Sequence, residues 1–182
     1  MNENEETIFT PTPVEKVLND PSYVEFKERY SDVYEQIKGR AHLVAGYISI
    51  ERDLAGIGAV KVRTMTKRER DMLAMNVPRG EDLPTKDAIK NSILHSNLTL
   101  ALCVMEIEAL EVKGDDYNLI YPRGAEFKSW FDSEKTQRKL GVIGDFSEYL
   151  EDLLLNLVGD VRLAARLALT EQAKNLKSPR TP

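Results

Sequence analysis

Five basic side chains, Lys61, Arg63, Lys67, Arg68 and Arg70, fall within ten residues of this chain. Gathered on one surface, they could neutralise several phosphates of a nucleic acid. Glu69 and Asp71 interrupt the cluster, and Lys67 and Asp71 have the i,i+4 spacing of partners on a solvated helix. The 182-residue chain carries a net charge of −5, which argues against a general nucleic-acid coat. The cluster therefore reads first as a solvated face and next as the charged rim of a protein-docking surface. A nucleic-acid-binding module using Lys61–Arg70 is the alternative.

The remaining candidate chemistry is sparse. Cys103 is the only cysteine and sits in the most apolar segment, where a thiol is usually inert core. It excludes an intrachain disulfide. His95 lies eight residues before it, about 12 Å along a helix axis, too far for one zinc ion. His42 has no ligand-spaced neighbour. "GDD" at 114–116 and "GED" at 80–82 read as turns; an enzyme would need them to assemble with other carboxylates in three dimensions. No phosphate-binding, dinucleotide or nucleophile-elbow pattern is present. The expectation is a non-enzyme with no cofactor and no metal.

Residues 1–12, "MNENEETIFTPT", read as a flexible acidic arm without the apolar core of a secretory signal. Residues 13–176 read as a single domain, mainly α, and 177–182 as a flexible tail. Within it, Tyr23, Phe26, Tyr30, Val33, Tyr34 and Ile37 recur at helical spacing over 22–38. Alternation over 46–65, with Gly56 and Gly58 between the two runs, predicts a two-stranded antiparallel hairpin. "TKRE" at 66–69 is a capping box that opens a helix ending before Pro78. The longest helix is predicted over 85–112, apolar nearly all round in its second half. A short strand is expected at 117–121, then an amphipathic helix that brings Phe127, Trp130 and Phe131 together. Asp145 is expected to cap a last long helix, whose Ala-rich stretch could pack within the monomer or against another copy. The apolar run at 98–105 is too short to span a bilayer. The architecture is thus a helical bundle with an inserted hairpin.

The order of "GAVKVRTMT", "KRERDMLAM", "TKDAIKNSIL" and "DFSEYLEDLLLNLVGDVR" resembles the tail-assembly chaperones and baseplate hub assembly proteins of tailed bacteriophages. In that group a strand ends in an Arg-x-(Leu/Met)-Thr turn and leads into a helix of the Glu-Arg-Asp/Glu-x-Leu kind. Arg63, Met65, Thr66, Glu69, Arg70, Asp71 and Leu73 are the matching positions, within a resemblance that covers 57–112. Where the family has a Leu-Pro pair before its C-terminal helix, this chain has "GVIGDF".

The resemblance implies a non-enzymatic assembly factor or structural component. It implies binding to another tail protein, the tape measure or a hub component, in the host cytoplasm or the virion, with self-association open. On this reading Arg63, Met65, Lys67, Arg70, Met72, Met75 and Trp130 are the candidate partner-interface residues. Methionines suit a surface that repacks against a partner, and the charges fix register.

Overall fold

The computed structural model describes Ser31, Glu35 and residues 47–79, 84–110, 112–115 and 117–177, with side chains through residue 168. Ser31 and Glu35 are helical. The rest of the helix expected over 22–38, the arm, "GED", His42 and the tail from 178 lie outside the described residues.

A hairpin begins the described body. β1 (Ser49–Leu54) pairs antiparallel with β2 (Gly58–Arg63), Leu54 opposite Gly58 and Ser49 opposite Arg63. Gly56 and Gly58 hold φ of 82° and 81°, values that β-carbon-bearing residues adopt at a cost. The predicted hairpin is therefore present, and its turn is placed by its glycines. Ile48, Ile50, Val60 and Val62 are buried on the inner face. On the outer face Glu51 opposes Lys61, which pairs with Glu106 at 3.7 Å.

α1 (Lys67–Asn76) follows. Thr66 accepts from the Glu69 N–H, and the Glu69 carboxylate accepts from the Thr66 N–H, so the capping box forms as the spacing predicts. Met72 and Leu73 are its apolar buried residues.

α2 (Thr85–Cys103) corrects the predicted 85–112 helix. At Val104 the backbone turns extended, and β3 (Val104–Ile107) joins the sheet beside β2 with no loop between helix and strand. The sheet thus has three strands, in the order β1-β2-β3. The physical reason is that "LALCV" at 100–104 is buried at every position, and continuous burial suits a helix or an inner strand equally. Leu98, Leu100, Leu102, Val104 and Ile107 are all at most 1% exposed.

Residues 117–121 form no strand; they are a connector without a ladder of their own. The amphipathic stretch after it is two helices, α3 (Phe127–Phe131) and α4 (Glu134–Gly144), because the first ends at Asp132 and Ser133 caps the second. The three aromatics do meet: Phe127 lies 6.2 Å from Trp130 and 5.5 Å from Phe131, centroid to centroid. α5 (Glu148–Lys177) is the longest helix. Asp145 ends α4 instead of opening α5; the Ser147 hydroxyl takes the capping role, accepting from the Leu150 N–H at 3.3 Å. Ala164, Ala165 and Ala168 are buried in the chain's own core, where α5 packs on α2 and β2. The fold is mainly α with a small antiparallel sheet, and α4 and α5 flank α2. No helix among the described residues is long and apolar enough to cross a membrane.

Candidate functional site

The most ordered polar chemistry is internal and is centred on Arg63. This residue ends β2, six positions before Glu69 in the first turn of α1. Both are fully buried. Arg63 Nη1 donates to Glu69 Oε2 at 2.9 Å and Nη2 donates to Oε1 at 2.8 Å, a two-bond fork. Nη2 also donates to the Leu119 carbonyl at 2.8 Å, and Nη1 to the Thr64 carbonyl at 3.1 Å. The guanidinium carbon sits 4.7 Å from the centre of the Tyr47 ring. Only Nε finds no partner among the described residues.

Glu69 is equally engaged. Besides Arg63 it accepts from the Thr66 N–H at 2.8 Å and the Tyr121 N–H at 3.3 Å. Burial alone would raise its carboxyl. The Arg63 hydrogen bonds and charge, aided by those two N–H groups, overcome burial and hold it below the usual carboxylate value. One ion pair thus ties the hairpin, α1 and the connector together.

The connector is fastened again farther along. Trp130 Nε1 donates to the Ile120 carbonyl at 3.1 Å, and the Tyr121 ring meets Trp130 edge-on at 5.2 Å. Between connector and α3 lies a groove of about 500 Å³, walled by Leu119, Ile120 and Pro122 on one side and Ala125, Ser129 and Trp130 on the other.

Lys139 of α4 is the second buried cation, 2% exposed. Its Nζ donates to the carbonyls of Val104 and Tyr117. Burial first, and the nearby Arg63 charge second, push its pKa down to about 7. The Cys103 thiol is pushed up to about 12, mainly by burial. His95 is lowered by burial and by Arg79, and its Nδ1 lies 3.3 Å from the Thr99 hydroxyl. Among the described residues no three His, Cys, Asp or Glu side chains converge on a metal-sized position.

The structure separates the residues that the sequence grouped. Arg63, Met72 and Trp130 are 0%, 4% and 6% exposed and are buried within this chain's own fold. Met65 is half-buried against the core. Lys67, Arg70 and Met75 are exposed, as is Arg68, and Arg70 caps back onto the Met65 carbonyl at 2.8 Å. Lys61 faces away on the sheet. The five basic residues therefore form no single surface. Sequence reasoning missed Lys139, although it is three residues after buried Thr136 and four before buried Ile143. That spacing places it on the inner face of α4 and is the signal that could have found it.

No protein-family model, curated protein or solved structure matches this chain.

Proposed function

We propose that this chain is a non-enzymatic protein-binding factor, a tail-assembly chaperone or baseplate component of a tailed bacteriophage. Its partner would be another tail protein, such as the tape measure or a hub component. The observation that carries this reading is how the side chains are distributed. The buried ionisable groups Arg63, Glu69 and Lys139 are all bonded to the protein's own groups, and the only thiol is sealed in the core. Apolar side chains meanwhile stand exposed on helices: Met75 on α1, Ile89 and Ile93 on α2, Tyr149 on α5. Met75 is 82% exposed and shares α1 with exposed Lys67, Arg68 and Arg70. An adaptable thioether within a charged rim is the pattern of a helix-docking surface. The resemblance over 57–112 supports the same reading, since Arg63, Thr66, Glu69 and Leu73 interlock strand and helix into one presenting unit.

The test is co-expression with individual tail proteins and co-purification at physiological salt. A tape-measure or hub protein is expected to co-purify with the wild type. Met75→Glu combined with Lys67→Glu should abolish this while leaving the melting temperature within about 2 °C, since surface changes usually stay within ±0.5 kcal/mol. Co-purification of nucleic acid alone, lost steeply as salt is raised, would overturn the proposal in favour of phosphate binding.

A further inference from the structure

Lys139 holds together three parts of the fold that no backbone ladder joins. Its Nζ donates to the Val104 carbonyl, where α2 becomes β3, and to the Tyr117 carbonyl, where the connector begins. The Val104 site is the C-terminal end of α2, where the helix dipole favours a cation. Among the described residues no carboxylate pairs with Lys139. Arg63 of β2 and Lys135, one turn earlier on α4, repel it, and Cys103 of α2 is a neutral thiol. Glu69 of α1 is committed to Arg63. On α3, Lys128 faces solvent with Asp132, and on β3, Glu106 faces Lys61.

We propose that Lys139 is a proton-operated latch that fastens the connector 117–121 to the end of α2. The neutral amine has two N–H donors for two carbonyls and no charge to desolvate, so the closed arrangement suits it. Protonation places a second cation beside Arg63 in a site shielded from water. Water can reach that charge if the connector lifts, because the connector is the part of its cage outside any helix or strand. The same segment forms one wall of the Trp130 groove, so lifting it reshapes that groove.

Trp130 is the chain's only tryptophan and is bonded to the connector at Ile120, so its emission reports the latch directly. In the full chain, emission is expected to shift to the red as pH falls, with a midpoint near the Lys139 value of about 7. Exchange of the 117–121 amides, corrected for intrinsic pH dependence, should accelerate about tenfold across the unit below that midpoint if one proton is linked. The Lys139 Cε resonance should titrate with the same midpoint. Lys139→Met should give a flat response. Lys139→Gln, which keeps two N–H donors without a charge, should also be flat and covers a folding failure of the first variant. A flat wild type, or the same titration in either variant, would overturn the latch.

Discussion

Arg63 and Glu69 form a fully buried two-bond ion pair at 2.8 and 2.9 Å, and the same Glu69 closes the capping box of α1. The carboxylate thus ends a helix and neutralises a strand residue at once. Removing either partner leaves the other charged in a fully buried site, which typically costs about 3–5 kcal/mol. Glu69→Ala and Arg63→Ala should each lower stability by that order in urea unfolding. Arg63→Met combined with Glu69→Leu should lie closer to wild type than either single change. Full additivity of the two losses would show that the pair acts separately. The pH dependence has a definite sign. Because the folded carboxyl sits below its ordinary value, this stabilisation is present above about pH 4.3 and is lost as pH falls through the folded value.

Gly58 should tolerate substitution less well than Gly56. Both have positive φ, so alanine at either meets a backbone penalty of about 1–2 kcal/mol. At Gly58 a β-carbon would also lie 2.8 Å from Glu108 Oε2, the atom that accepts the Ala59 N–H at 3.0 Å. At Gly56 nothing lies within 4 Å. Gly58→Ala is expected to lower the melting temperature more than Gly56→Ala. Adding Glu108→Ala should change the Gly58 penalty and leave the Gly56 penalty alone. Equal losses at the two glycines would mean that Glu108 swings clear at no cost.

What could be read from the sequence was local. The Thr66–Glu69 box and the glycine turn each depend on a few neighbouring residues, and both formed as spacing requires. The end of α2 was not legible. Apart from Thr99, Leu98–Met105 is apolar, so no period marks where helix gives way to strand; pairing with β2, 42 to 47 residues earlier, decides it. Arg63 misled for a related reason. Strict alternation places it on the same face as Lys61, and the β1–β2 ladder runs unbroken through Ser49 and Arg63, but that end of the face is covered by the rest of the fold. Its cover is Tyr47, the Leu119 carbonyl and Glu69, and only Glu69 lies within one or two helical turns of it in sequence. Lys67, Arg70 and Met75 were legible as surface because α1 has a single buried face.

Cys103 should be silent in the folded protein. With its pKa pushed up to about 12, the thiolate fraction at pH 8 is about one in ten thousand, and the side chain is buried besides. Modification by an aromatic disulfide reagent is therefore expected only through opening of the core. Its rate should rise in step with destabilising changes such as Glu69→Ala. Rapid labelling that ignores stability would place the thiol at a surface. Cys103→Ser should destabilise, since it puts a hydroxyl into a fully buried site shaped for a thiol.

Lys139 makes stability rise with pH across neutrality, opposite to the usual effect of a lysine that gains an acidic partner. Its unfolded value is 10.5 and its folded value about 7, so between these the unfolded chain holds a proton that the folded chain does not. Raising the pH through that window removes the proton from the unfolded chain and with it the bias toward unfolding. Below about pH 7 both states are charged, and the full penalty of burying the ammonium remains. Lys139→Met removes the charge and keeps most of the volume, so its effect on melting temperature should be most favourable at pH 6 and fade toward pH 10. Replacing a buried charge with an apolar side chain is often neutral or stabilising, whereas truncation to alanine opens a cavity. Lys139→Ala should therefore be less stable than Lys139→Met at every pH. A Lys139→Met curve that runs parallel to wild type from pH 6 to 10 would mean that Lys139 keeps its proton throughout, held by partners stronger than two carbonyls.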